Sequence, residues 1–412
     1  MKLKLTFLAI LLLAFVVACG GGAEEAPTPE LVIPTEIAAD AAIAEAEPTT
    51  TTVVADPTLP PPPTLAPPPA TATPLPEPTA EPTADGSVTL LTKEDFGTDR
   101  NPLTGEIMED PSVLERRPLA IKISNAPAFY VRPQSGLNKA DWIFEHLAEG
   151  AVTRFTALIY GETPVEVGPI RSARLIDLEL PAMYDAALLF SGTSTGVGNR
   201  LAQSDIYDHI VRVSETGTGY FRTGDETKAF EHTLYVRPER TWEHLESKGL
   251  NHPPTFGTQV AFSTEIPVNG RSNSGAFIDY KSTKVTWTYD PEIGLYRREA
   301  DGEPIIDALD EEQVTAANVV IISPFHVEDG TICEHSKDGV CLALSVEIQL
   351  WGKGQGVILR DGQEFDVIWV REGRNDMLTF TDLEGNPFPL QIGKTWVQLI
   401  PSWLDDPVEI YP

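Results

Sequence analysis

Hydrophobic and polar positions divide the chain into three stretches of different character. Residues 5–17 form an almost unbroken apolar run, and residues 20–86 are rich in proline and contain no aromatic residue. From residue 87 onwards, short apolar segments recur at strand and helix spacing and are separated by Gly, Pro, Asn and Asp. This pattern predicts that the folded part of the protein lies in residues 87–412.

The first half of the folded part alternates between strand and helix signals. Strands are predicted at residues 119–123, 154–160 and 187–190. A helix is predicted over residues 140–148, where Ala140, Ile143, Phe144, Leu147 and Ala148 recur at helical spacing between a cap at Asn138 and a stop at Gly150. Further helices are predicted at residues 175–184, 204–210 and 242–248. The alternation indicates an α/β-type N-terminal domain over residues 87–265.

The second half carries mainly strand signals. Two strands flank the turn from Asp290 to Gly294 and predict a hairpin. Further strands follow at residues 319–322, 342–350, 356–359, 365–370, 378–380 and 396–399. A mostly antiparallel C-terminal β domain is therefore expected over residues 273–412, built as a barrel or a sandwich, after a break at residues 263–274. The predicted fold class of the whole chain is α+β.

The N-terminus has the order of a bacterial secretion signal. Lys2 and Lys4 precede the apolar run, and Cys19 follows the small residue Ala18. The pattern resembles a lipobox, so we expect a signal peptide over residues 1–18 and acylation of Cys19, which would hold the protein on the outer face of a membrane. A retained transmembrane helix and an ordinary cleaved signal are the alternatives, but the apolar run is shorter than the roughly 20 residues of a membrane span.

The segment at residues 19–86 is predicted to be a disordered tether. Residues 20–86 hold 16 of the chain's 36 prolines and 11 acidic residues, and they contain no Lys or Arg. Such a composition buries too little apolar surface to offset the entropy lost on ordering, and its proline clusters favour an extended chain. We expect the tether to hold the folded part away from the membrane.

Charge narrows the range of partners. The chain has a net charge of -31, and residues 87–412 retain -22 once the two lysines of the signal and the 11 acidic residues of the tether are set aside. An acidic surface repels phosphate backbones, so no nucleic-acid partner is expected. The expected partners are the membrane, through the lipid anchor, and an envelope protein or cell-wall ligand. The sequence contains no nucleotide fingerprint, and no cofactor is predicted.

Several motifs, in order, resemble those of the YerB-like lipoproteins, a two-domain bacterial family of unknown function. They are NPLTG at residues 101–105, RPLA at 117–120, RPQSGL at 132–137, GPIRSAR at 168–174 and GKTW at 393–396. The resemblance covers residues 100–402. It implies a lipoprotein with two domains, and it implies no established reaction.

The same motifs concentrate arginines within an acidic domain. Arg132, Arg154, Arg171 and Arg174 occur with the polar residues Gln134, Ser135 and Ser172. One hypothesis is a pocket for a carboxylate or phosphate, such as a peptide terminus or a cell-wall fragment. The alternative is a structural network, in which the arginines pair with Asp141, Glu145 and Glu149 along one face of the predicted helix.

An enzymatic alternative rests on Ser194. The segment from Gly192 to Gly196 matches G-x-S-x-G after a predicted strand, as in a nucleophile elbow, and Asp and His residues follow in the chain. No oxyanion-hole motif precedes this segment, and small-residue loops after strands are common. We therefore favour a binding or assembly module of the cell envelope over an envelope hydrolase that uses Ser194, and no catalytic residue is assigned.

Cys333 and Cys341 are the cysteines that remain after Cys19. In an extracytoplasmic compartment they are expected to form a disulfide, whose nine-residue loop would contribute roughly 2.5 kcal/mol in the chain-entropy model. Two reduced thiols are the alternative. His335 lies between the two cysteines, but no fourth ligand is evident nearby, and no metal site is predicted.

Overall fold

A computed structural model describes residues 88–412 of the chain. The predicted signal peptide, Cys19 and the tether up to residue 87 lie outside the described residues.

The helices are short. They are α1 (Ala128–Val131), α2 (Leu180–Met183), α3 (Thr195–Ala202) and α4 (Pro238–Ser247), together with 3-10 turns at Lys93–Asp95, Pro111–Glu115, Glu149–Ala151, Leu175–Leu178, Tyr207–His209 and Phe230–His232.

Strands make up most of the regular structure of these residues. In the first half they are β1 (Leu119–Ser124), β2 (Trp142–Leu147), β3 (Thr153–Ile159), β4 (Ala187–Leu189), β5 (Ile210–Val211), β6 (Tyr220–Arg222) and β7 (Leu234–Val236). In the second half they are β8 (Arg271–Ser272), β9 (Gly275–Asp279), β10 (Lys284–Asp290), β11 (Leu295–Ala300), β12 (Glu303–Pro304), β13 (Thr315–Ala316), β14 (Asn318–Ile322), β15 (Phe325–Lys337), β16 (Val340–Gln349), β17 (Gly352–Arg360), β18 (Gln363–Arg371), β19 (Thr379–Thr381), β20 (Thr395–Leu399) and β21 (Val408–Tyr411).

A mixed eleven-stranded sheet runs through both halves of the chain. Its main path is β19-β18-β17-β14-β20-β2-β3-β1-β4-β5, and β8 pairs with β18. Strand β20 lies between β14 and β2 and is parallel to both, whereas β3 pairs antiparallel with β1 and β2. The predicted boundary at residues 263–274 lies between α4 and β9, and strands from both sides of it pair in this sheet.

A second sheet packs against one face of the first. It has six strands, with the order β12-β11-β10-β9-β21 and β13 beside β11. Buried residues from both sheets form one apolar cluster, in which the rings of Trp287 and Trp396 meet edge to face at 5.4 Å. The other face of the large sheet is covered by a separate cluster that includes Trp142, Phe144 and Tyr184. The predicted α+β class, with a mostly antiparallel second half, is confirmed.

The helix predicted over residues 140–148 is wrong. These residues include strand β2, in which every side chain from Trp142 to Leu147 is buried. A strand that is covered on both faces does not alternate between apolar and polar residues, so the apolar positions of β2 also satisfy a helical spacing. Consequently Asp141, Glu145 and Glu149 do not share a helix face.

The other helix predictions had mixed outcomes. Residues 175–184 form a 3-10 turn followed by α2, and residues 242–248 lie in α4, which begins earlier at Pro238. Residues 204–210 contain the 3-10 turn Tyr207–His209 and the first residue of β5, and the unpredicted helix α3 precedes them. Ser194 caps α3, because its hydroxyl accepts a hydrogen bond from the Val197 amide.

Strands β15 and β16 form a long two-stranded hairpin. Cys333 and Cys341 are joined by a disulfide near its tip, with 5.7 Å between their Cα atoms. Ile332, on the same strand as Cys333, is buried against α3, where a Cβ atom on Gly196 would come within 2.6 Å of the isoleucine side chain. The hairpin is therefore seated on the first half of the chain.

Candidate functional site

A cavity of about 500 Å³ opens where β1 ends and β3 begins. Ser124 at the end of β1 pairs with Arg154 on β3, and the turn between β9 and β10 forms part of the opposite wall. The polar residues that line the cavity include Arg132, Arg154, Arg171, Asn125, Ser282 and Thr283. Three of the four arginines predicted from the sequence therefore line one cavity.

Arg132 follows helix α1 and reaches across to the second half of the chain. Its Nη1 atom lies 2.8 Å from Asp301 Oδ2, and Asp301 also lines the cavity. The Nε atom of Arg132 is buried and has no hydrogen-bond partner among the described residues. A buried donor without a partner costs free energy, so the Arg132 side chain is held in place at some cost to the fold.

Arg154 and Arg174 converge on the Glu149 carboxylate. Arg154 donates from Nη2 to Glu149 Oε1 at 2.8 Å, and Arg174 donates through both Nε and Nη2. Burial alone would raise the pKa of Glu149, but the hydrogen bond from Arg174 and the charges of both arginines outweigh burial and lower it to about 2. The network hypothesis is therefore accurate for these two arginines, although Arg154 also lines the cavity.

Arg171 and Ser172 lie between the cavity and that network. Arg171 is half-buried and lines the cavity, and its amide donates to the Lys122 carbonyl at 2.9 Å. Ser172 contributes its carbonyl, which accepts a hydrogen bond from Arg154 Nη1 at 3.0 Å. Arg174 does not line the cavity.

Gln134 and Ser135 are buried behind the cavity. The amide nitrogen of Gln134 donates to the Ser124 carbonyl and to Asn125 Oδ1, both at 3.2 Å. The Ser135 amide donates to the Gly168 carbonyl at 2.8 Å. These two residues support the cavity wall without contributing to its lining.

A buried polar network beneath the arginines was not predicted from the sequence. Lys122 Nζ donates to His146 Nε2 at 2.6 Å, to Thr156 Oγ1 at 3.0 Å and to Asp177 Oδ1 at 2.9 Å. Burial lowers the pKa of Lys122 to about 8, although the charge of Asp177 opposes this shift. Asp177 also accepts from the Arg174 amide at 2.7 Å, so the network fixes the start of the segment that carries Arg174.

Asp141 and Glu145 are not partners of the four arginines, contrary to the network hypothesis. Asp141 accepts from the Tyr160 amide at 2.7 Å and from Asn101, and burial raises its pKa to about 6. Glu145 pairs instead with Arg298 on β11 and accepts from Thr153 Oγ1 at 2.8 Å. Thr153 lines the cavity, so this second network reaches the cavity from the core between the sheets.

The surroundings of Ser194 do not resemble a catalytic triad. Its hydroxyl donates to Glu334 Oε1 at 3.1 Å, and no histidine is among its hydrogen-bond partners in residues 88–412. Glu334 comes from the β15–β16 hairpin, and its Oε2 atom lies 3.6 Å from Arg174 Nε. His209 lies near Asp185, and the His232 ring stacks on Tyr130. Ser194 therefore acts as a helix cap that also holds the hairpin.

Within residues 88–412, no group of three or more His, Cys, Asp and Glu side chains is arranged to hold a metal ion. None of the helices in the same range is long and apolar enough to cross a membrane.

Comparisons with known proteins identify relatives over most of the chain. Residues 103–251 match the model described as "Protein of unknown function (DUF3048) N-terminal domain", and residues 276–397 match the model of the corresponding C-terminal domain. The chain is 30% identical over 311 residues to "Putative lipoprotein YerB" of Bacillus subtilis (strain 168), which covers 73% of this chain and 86% of that protein. It is also similar to the crystal structure of the YerB protein from Bacillus subtilis, with a TM-score of 0.63 and 26% identity over 76% of this chain and 99% of the other. The resemblance predicted from the motifs is confirmed.

Proposed function

Because the chain belongs to the family of the Bacillus subtilis lipoprotein YerB, with both DUF3048 domains, we propose that it is a membrane-anchored extracytoplasmic lipoprotein that binds an anionic ligand. The order of Lys2, Lys4, an apolar run and Cys19 supports the anchor. The relative's name supports the same anchoring. A binding or assembly role in the cell envelope follows from this placement.

The cavity lined by three arginines is the observation that carries the ligand proposal. Arg132, Arg154 and Arg171 line it together with two carboxylates, in a chain whose net charge is -31. Because the acidic surface repels anions, a local excess of guanidinium groups favours one site for them. Guanidinium groups bind carboxylate and phosphate through paired hydrogen bonds, so we expect a ligand that carries one of these groups.

The arginines differ in how far a ligand can engage them. Arg154 is held by Glu149, and its side chain is 8% exposed. Arg132 is paired with Asp301, whose side chain is 40% exposed, and keeps one buried N–H without a partner. Asp301 is partly exposed, so we expect an incoming anion to compete with it for Arg132. Arg132 is therefore the first residue to test, and Arg171, which is half-buried and also lines the cavity, is the second.

Binding should be measured by calorimetry with the full chain in detergent. The probes are inorganic phosphate and an acetylated alanine tripeptide with a free carboxylate, and the same peptide with a C-terminal amide is the matched control ligand. We expect the carboxylate peptide or phosphate to bind and the amide to bind at least about tenfold more weakly.

Variants locate the site. Arg132→Gln and Arg171→Ala should each weaken binding about tenfold, because each removes a charged hydrogen-bond donor. Arg240→Ala is the control, since Arg240 on α4 pairs with Glu243 and does not line the cavity. Equal affinity for the carboxylate and the amide, or a loss with Arg240→Ala as large as with Arg132→Gln, would contradict the proposal.

A further inference from the structure

A row of aromatic rings lies beside the arginine cavity. Phe129 and Tyr130 on helix α1 have ring centroids 3.9 Å apart, and Tyr130 stacks on His232 at 5.4 Å. The Phe129 side chain is 75% exposed. Phe230, in the same 3-10 turn as His232, is 71% exposed. The Phe230 ring packs against the Arg222 guanidinium, 3.4 Å from its centroid. We call Phe129, Tyr130 and His232 the aromatic row.

Helix α1 connects the aromatic row to the cavity, and the rings themselves lie outside the cavity lining. Pro127 and Ala128 line the cavity, Phe129 and Tyr130 follow them directly, and Arg132 caps the same helix. The charge of Arg171 also acts on His232, after burial, in lowering the pKa of that imidazole to about 4. His232 is thus close to the arginines and carries no charge at neutral pH.

The Phe129 side chain is largely in water, although its ring lies 3.9 Å from that of Tyr130. An exposed ring next to a cavity offers apolar surface that a ligand can cover. Exposed aromatic rings next to arginines are typical of recognition surfaces, because both supply contact area in a fixed geometry.

We infer that the ligand of the cavity is an acidic saccharide, whose ring stacks on Phe129 while its carboxylate or phosphate group binds Arg132 and Arg171. This inference rests on the proposed function and adds the ligand class to it. The weakly positive C–H groups on the face of a sugar ring match the negative face of an aromatic ring. The hydroxyls of Ser282 and Thr283, in the opposite wall, supply donors and acceptors for sugar hydroxyls.

The lining of the cavity favours a saccharide over an apolar peptide. Besides the charged residues, the cavity is lined by Ser124, Asn125, Thr153, Ser282 and Thr283, and aliphatic side chains are a minority. A ligand with hydroxyl groups can share hydrogen bonds with the Ser, Thr and Asn side chains of this lining.

Ligand-observed NMR with the full chain in detergent tests this inference. The probes are glucuronate, glucose, acetate and N-acetylphenylalanine, which separate the acid, the sugar ring and an apolar ring. We expect glucuronate to bind more tightly than acetate or glucose. Phe129→Ala should weaken glucuronate binding about fivefold and leave acetate unchanged, whereas Arg132→Gln should weaken both acids.

Phe325→Ala is the matched control, because Phe325 is 63% exposed but lies on strand β15, outside the cavity lining. If acetate binds through Arg132 and glucuronate gains nothing from Phe129, the saccharide inference fails and the anion site stands. Tighter binding of N-acetylphenylalanine than of glucuronate would also overturn the inference. If no carboxylic acid binds and inorganic phosphate does not bind either, the proposed function itself fails.

Discussion

The carboxylate of Glu145 and the guanidinium of Arg298 form an ion pair in which both side chains are fully buried, with 2.8 Å between Oε2 and Nη2. Glu145 lies on β2 of the large sheet and Arg298 on β11 of the six-stranded sheet. Arg298 also lies over the Trp396 ring, 4.7 Å from its centroid, and its Nε and Nη1 atoms have no hydrogen-bond partner among the described residues. The pair therefore links the two sheets inside the apolar layer between them.

Glu145→Gln should destabilise the fold strongly. The substitution leaves the buried charge of Arg298 without its counter-ion, and losses of this kind are about 3–5 kcal/mol. Chemical denaturation should show this loss in the free energy of unfolding. Glu292→Gln, at an exposed turn position, is the control and should change it by less than about 0.5 kcal/mol. Similar small changes in both variants would contradict the assigned role of the ion pair.

Glu149 should contribute stability that depends on acid pH. Its pKa in the folded state is about 2, below the ordinary value of 4.5, so its contribution is complete above pH 4.5 and is lost as the pH falls towards 2. The shift corresponds to about 3 kcal/mol. The free energy of unfolding should be measured from pH 6 to pH 2 for the wild type and for Glu149→Gln. The difference between the two should shrink as the pH falls.

Glu162→Gln is the control for that experiment, because the Glu162 side chain is 60% exposed. Its difference from the wild type should stay near zero at every pH. A constant gap between Glu149→Gln and the wild type down to pH 2 would show that the arginines do not shift the titration of Glu149.

Lys122 should contribute a pH dependence of the same sign, but at alkaline pH. Its pKa in the folded state is about 8, below the ordinary 10.5, because burial disfavours the charged form. The folded state therefore binds fewer protons than the unfolded state between these values, and stability should rise with pH across this range. The free energy of unfolding should be compared from pH 7.5 to 10. Lys122→Met should lack this rise. Lys139→Met is the control and should keep it, because Lys139 is half-exposed.

Because Lys122→Met also leaves Asp177 buried without its cation, the double variant Lys122→Met with Asp177→Asn is the second measurement. It should recover part of the stability at pH 7 and still lack the rise. A rise of the same size in the double variant would assign the effect to other groups.

Cys19→Ser should release the protein from the membrane fraction, since acylation requires the thiol. Fractionation followed by an alkaline wash measures this release. The matched control is Ala18→Gly, which keeps the thiol and a small residue before it, and this variant should remain in the membrane. A serine variant that stays in the membrane after the wash would identify residues 5–17 as the anchor.

Several strands of the second half were predictable because their signals are local, whereas β9, β15 and β21 were missed. The residues from Asp290 to Gly294 are themselves typical of a turn, and Gly294 adopts a φ of 69° that favours glycine. Strand β2 was mistaken for a helix because the signal that distinguishes the two is alternation, and burial on both faces removes it. Periodicity alone does not separate these cases.

The composition of the site was predicted in part. Local motifs brought Arg132, Arg154 and Arg171 to attention, and all three line the cavity. Asp301 and Glu334, which pair with Arg132 and Arg174, come from the other half of the chain. These partners are far apart in the chain, so the spacing of neighbouring residues does not predict their contacts. A single sequence also contains no covariation that would reveal them.

The position of β20 has a consequence for how the chain reaches its native state. Residues 395–399 pair with both β2 and β14, so these two strands lack their common neighbour until the chain has been synthesised almost to residue 400. Before that point each strand presents unpaired backbone groups on an apolar edge, and such edges promote aggregation. Assembly of the sheet is therefore a late event, and the nascent chain needs protection from self-association until its last strands emerge.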